Sequence, residues 1–179
     1  MKKLFISLLA AASILTPSVA KADNDPKDHL ALWKSLQDVG VTTIYNHRVH
    51  CNDEADGKYY IYSGVLVVCQ DNMTTHLEEH PWTDNDFDTL RHEAHHVVQD
   101  CAYGSLADGQ TGPIFNEEDL VKFLKASSFT EQQLSQLYNM MKEDGLDDIT
   151  ILEELEAYTV AKDISAADIR TKLIEFCSE

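Results

Sequence analysis

Residues 92–96 read His92-Glu93-Ala94-His95-His96. Residues four apart on a helix lie one above the other on the same face. His92 and His96 can therefore point two imidazoles at one metal ion, at roughly 2.0–2.1 Å each. Glu93 stands one residue round from His92, badly angled for a third ligand but well placed as a general base for a water at the metal. This His-Glu-x-x-His spacing is the one with which a single helix holds zinc and base together. Phe87, Leu90, Ala94, Val97, Val98 and Cys101 recur at helical spacing as an apolar stripe. Ala94 lies about 200° round from His92, so the helix should bury one face and line a cleft with the other. The bland alternative is a histidine-rich, solvated helix face.

The elements around the motif follow in chain order. Residues 28–39 have helical apolar spacing, with Gly40 where a helix would stop. Val41 to Tyr45 is β-branched and aromatic, a first strand. Lys58 to Tyr62, a Ser63-Gly64 turn and Val65 to Cys69 read as a hairpin, with Tyr59, Tyr60, Ile61 and Tyr62 as sheet residues. His76 and His80, four apart, lack a following Glu and precede Pro81, so they read as surface histidines. Thr83 is a plausible N-cap for a metal helix over 84–102, with Asp84 and Asp86 in its first turn. A glycine-rich loop covers 104–113. Four helices follow: 117–126 capped by Asn116, 131–143 capped by Thr130 or Ser128, one from Asp147 or Asp148 through Lys162, and 166–176 capped by Ser165. The layout predicts an α+β class, a small antiparallel sheet followed by a helical bundle.

Two histidines do not complete a catalytic zinc site; a third protein ligand is needed. The stretch Glu153-Glu154-Leu155-Glu156-Ala157-Tyr158-Thr159-Val160-Ala161 supplies three candidates. With the first motif it resembles the gluzincin branch of the zincin metallopeptidases, whose third ligand is a glutamate on a second helix, commonly set in Glu-x-x-Ala-Asp or Glu-x-x-x-Asp. Residues 92–98 also look like small His-Glu-x-x-His domains of secreted bacterial and phage proteins, where the second motif is often Glu-x-Glu-Ala. The resemblance covers these two motifs, not the whole chain. It implies a zincin-like metallopeptidase domain over 23–179, with Glu154 as third ligand and Ala157 and Ala161 as the small residues that let two helices share an ion. Glu156 is the alternative ligand and Glu153 ranks third. The pattern departs at Tyr158, where the family has Asp. The carboxylate that orients a ligating histidine is then Asp100 or Glu156. The family further implies Zn2+, a peptide or protein substrate attacked by an activated water with Glu93 shuttling the proton, and an edge strand that aligns the peptide, for which 65–69 is available. It also requires an oxyanion donor, for which Tyr158, Tyr103 and His95 are at hand.

Composition bounds the rest. A positive start at Lys2-Lys3, an apolar run from Leu4 to Leu15 and small residues up to Ala22 read as a signal peptide over 1–22. No other run approaches the length of a membrane span, so a secreted or periplasmic protein without stable membrane insertion is expected. Cutting after Ala22 removes three lysines and no acid, leaving 11 Lys+Arg against 31 Asp+Glu, a formal charge of −20. Such a surface repels phosphate backbones, so nucleic acid is not an expected partner.

Cys51, Cys69, Cys101 and Cys177 make an even count, read as two disulfides. Of three pairings, Cys51–Cys69 flanks one β-region and Cys101–Cys177 would tie the last helix to the metal helix. A structural zinc site of all four cysteines is disfavoured by the absence of any Cys-x-x-Cys pair. Two functional classes stay open beside a non-metal, disulfide-stapled interaction domain. One is a secreted zinc peptidase; the other is an inactive, zinc-stabilised binding or structural module on the same fold.

Overall fold

The computed structural model describes residues 24–51 and 56–178; the expected signal peptide lies outside them. Among the described residues, six helices and three strands follow one another as α1 (Pro26–Asp38), β1 (Thr42–Tyr45), β2 (Gly57–Tyr60), β3 (Val65–Val68), α2 (Asp84–Tyr103), α3 (Glu117–Ala126), α4 (Glu131–Glu143), α5 (Asp148–Asp163) and α6 (Ala166–Cys177). The α+β class is as the sequence indicates.

The sheet is mixed rather than antiparallel. Its order is β1-β3-β2, with β1 parallel and β2 antiparallel to β3. The physical reason is in β3 itself. Val65-Leu66-Val67-Val68 is apolar on both faces, and Leu66, Val67 and Val68 are all fully buried. A strand of that kind belongs in the middle of a sheet, whereas Thr42-Thr43-Ile44-Tyr45 is half solvated and takes an edge. The strand 65–69 therefore cannot be an edge; β1 and β2 are the two edges, and β2 is the one that lines the cleft beside the motif. The hairpin strand is also shorter than expected, ending at Tyr60. Ile61 and Tyr62 belong to the turn, which Gly64 closes at φ +60° while Ser63 and Gly64 donate to the Tyr60 carbonyl.

Capping chemistry sets the helix ends. Thr83 accepts from the Asp86 amide at 3.1 Å and the Asp86 carboxylate takes the Thr83 amide at 2.8 Å, a reciprocal box that starts α2. Thr130, not Ser128, caps α4; Ser128 bonds instead to Asp163. Asp147 caps α5 and Ser165 caps α6.

The rotation of α2 is pinned by Arg91, buried in spite of its charge. Its guanidinium donates to the Ala161 carbonyl at 2.7 Å and to Asn24 at 2.8 Å, stands 2.6 Å from His29 Nε2, and pairs with Asp88. A buried cation holds one geometry only when its donors are satisfied, and these partners come from α5, the N-terminal segment, α1 and α2. The core face of α2 (Leu90, Ala94, Val97, Val98) is fully buried, while the face carrying His92 and His96 turns toward α5. Both expected disulfides are present, Cys51–Cys69 and Cys101–Cys177. The second fastens α6 to α2. Such bridges belong to an oxidising environment, and among the described residues no helix is long and apolar enough to cross a membrane.

Candidate metal centre

His92 Nε2 and His96 Nε2 stand 3.0 Å apart on α2. Glu154, on α5, places Oε2 3.2 Å from His92 Nε2 and Oε1 3.5 Å from His96 Nε2. A tetrahedral ion with bonds of about 2.0–2.1 Å separates its ligand atoms by roughly 3.3–3.4 Å. The three donors already sit at about that spacing, and they form a group that could hold a metal ion. Ala157 and Ala161, both buried, line the same side of α5 and leave the two helices room to approach.

The other two glutamates do different work. Glu156 is completely buried and faces away from the ligand triad. Its Oε1 accepts from His95 Nε2 at 2.7 Å and from the Ile114 amide at 3.2 Å, and its Oε2 accepts from the Phe115 amide at 3.2 Å. It is a brace between α2, α5 and the loop before α3, not a ligand. Glu153 is buried and is not part of the group that converges with His92 and His96.

Neither Asp100 nor Glu156 hydrogen-bonds to His92 or His96. Asp100 accepts from Tyr59 Oη at 2.6 Å and from the Ala107 amide at 2.9 Å. The group that meets His96 Nδ1 is Gln99 Oε1, at 2.8 Å. The sequence reading does not single it out; its one signal is a polar residue directly after the apolar pair Val97-Val98, on the helix that carries the motif. His95 is buried on the Glu156 side, and Tyr103 donates to the Pro113 carbonyl at 3.0 Å from an exposed position. Of the three oxyanion candidates only Tyr158 reaches the site, its ring 4.5 Å from that of His92. His76 is exposed and bonds the Asn46 carbonyl, as a surface histidine would.

The triad opens into a cleft of about 590 Å³, whose other walls include Gly57, Lys58, Tyr59 and Tyr158. Gly57 is needed there. A Cβ on it would fall 2.5 Å from Thr89 Cγ2 and 3.1 Å from Glu93 Cγ, so only glycine lets β2 lie this close to the motif helix. Glu93 is 7% exposed and lines the same cleft.

Charges in the cleft are strongly coupled. Burial pushes Glu93 up, against the pull of His92 and His96. Burial also works to raise Glu154, but hydrogen bonds from both imidazoles outweigh it and hold the carboxyl well below its usual range. Burial alone would lower His96; the hydrogen bond and charge of Glu154 override it and raise the ring to about 9. Burial, then the neighbouring carboxylates Glu154 and Glu93, keep Tyr158 a protonated phenol. Two imidazoles and one carboxylate are donor types that hold a divalent transition-metal ion, so the group fits one in chemistry as well as in spacing.

Compared with protein-family models, with curated proteins and with solved structures, the chain matches none of them.

Proposed function

We propose that this chain is an exported zinc metallopeptidase, with His92, His96 and Glu154 as metal ligands and Glu93 as general base. The observation that supports it is the convergence of three donors at tetrahedral spacing with Glu93 beside them on the floor of an open cleft. Two imidazoles, one carboxylate and an open fourth position are the donor set of catalytic rather than structural zinc. Held by His92, His96 and Glu154, zinc would supply a lowered pKa for a bound water and polarisation of a carbonyl oxygen.

This chain's residues supply the remaining chemistry. Glu93 takes a proton from the attacking water and returns it to the leaving amine. Its buried, upward-shifted carboxyl is matched to both steps. Tyr158, protonated and facing the cleft, donates toward the developing oxyanion. β2 is the edge strand beside the motif, and an extended peptide pairs with it along Gly57–Tyr59. The signal-like residues 1–22 and the two disulfides support export.

The test is Glu93→Gln, assayed with one equivalent of zinc on quenched fluorescent casein. The variant should keep its zinc and lose at least about a hundredfold in turnover. Casein cleavage by the variant at the parent's rate would overturn the reading.

A further inference from the structure

We propose that Gln99 is a positioning residue that fixes which ring nitrogen of His96 faces the metal, and that Glu156 sets the orientation of Gln99. The inference rests on the metal reading above and reaches beyond its ligands. It starts from the amide of Gln99, which is completely buried. Nε2 of that amide stands 3.2 Å from the Glu153 carbonyl and 3.5 Å from Glu156 Oε1. Both neighbours are acceptors. Turning the amide over would set its oxygen against two oxygens, so the NH2 end is held toward Glu156. The Oε1 end is then left facing His96 Nδ1 at 2.8 Å.

An amide oxygen only accepts. The neutral ring of His96 must therefore carry its hydrogen on Nδ1, which leaves the Nε2 lone pair free on the side where His92 Nε2 and Glu154 lie. Glu156 is itself fixed as an acceptor, because His95 and the amides of Ile114 and Phe115 all converge on it. A chain of donors and acceptors thus runs from the loop before α3 through Glu156 and Gln99 to the ligand. It does the work that a carboxylate at position 158 would do in the pattern the sequence resembles, and it does it from the metal helix itself. Among the described residues His92 Nδ1 has no such partner, and the ring packs against Tyr158.

Two near-isosteric variants separate this role from simple packing. Gln99→Met keeps the volume and removes the acceptor; Gln99→Glu keeps an acceptor for His96 and places a second oxygen against Glu156. Zinc affinity is measured at pH 7 by competition with a chelator. The His96 ring of the zinc-loaded protein is read by two-dimensional 15N–1H spectroscopy, and stability by thermal unfolding of the metal-free chain. Gln99→Met should bind zinc 10–100-fold more weakly and lose the sharp Nδ1–H signal. Gln99→Glu should lower the melting temperature yet bind zinc within about tenfold of the parent, with Nδ1–H retained. Gln99→Met binding as tightly as the parent overturns the proposal, as does affinity that falls in step with stability in both variants. A parent chain that binds no zinc overturns the metal reading along with it.

Discussion

Glu154 and Glu156, two positions apart on α5, point to opposite sides of the α2–α5 contact. Glu154 reaches the two ring nitrogens of His92 and His96, whereas Glu156 is sealed beneath them against His95 and two backbone amides. Their substitutions should therefore fail differently. Glu154→Gln is expected to lose bound zinc, measured by atomic absorption after gel filtration, with little loss of fold. Glu156→Gln should retain at least part of its zinc but lower the urea-unfolding free energy by about 1–3 kcal/mol, the cost of impairing buried hydrogen bonds to a charge.

Acid and alkali should act on the metal-free chain with opposite signs at the two partners. His96 is raised to about 9 in the folded protein, above its ordinary value near 6.5. Its contribution is fully present below about pH 6.5 and fades as pH rises through about 9. Glu154, held below its ordinary 4.5, contributes above that pH and loses its effect on acidification. Metal-free protein should thus melt lower at pH 10 than at pH 7. Zinc must displace the His96 proton, so apparent affinity should climb about tenfold per pH unit from 7 to 9 and then level off. A flat affinity profile in a chelator-buffered titration would contradict this assignment.

Gly57→Ala puts a methyl group into Thr89 and Glu93. Overpacking of this kind costs about 1–3 kcal/mol, so a lower urea midpoint is expected. Because the clash falls on the side chain assigned as base, turnover should drop more than zinc content does.

The two disulfides close loops of unequal length, with sequence separations of 18 and 76. Loop-closure entropy assigns roughly 3 kcal/mol to the shorter and roughly 4.5 to the longer. Replacing Cys101 and Cys177 together by Ala should consequently cost about 1 kcal/mol more than replacing Cys51 and Cys69, read from chemical denaturation of the two double variants.

Much of this site is legible locally. The spacing of His92 and His96, the apolar stripe beneath them and the caps Thr83, Asn116, Asp147 and Ser165 depend on near neighbours in the chain, and each element stands within a few residues of its expected place. The strand order does not follow from adjacency, because β1 bypasses β2 to pair with the more apolar β3. Choosing among Glu153, Glu154 and Glu156 was equally non-local. α5 is buried on nearly every side, so its sequence carries no amphipathic stripe to say which carboxylate turns toward α2. Gln99 is illegible in the sequence for a related reason: its contacts exist only once Glu156 and His96 are brought together from elements far apart in sequence.

The three residues that could hold a metal span α2 and α5, and that arrangement would make a bound ion more than a reagent. It would be a third rivet in the fold, beside two made of sulfur, joining helices that the covalent bridges leave unlinked to each other. Unlike its companions this one can be drawn by a chelator and reset without any redox chemistry. Mechanical integrity and hydrolytic competence would then be lost and regained together.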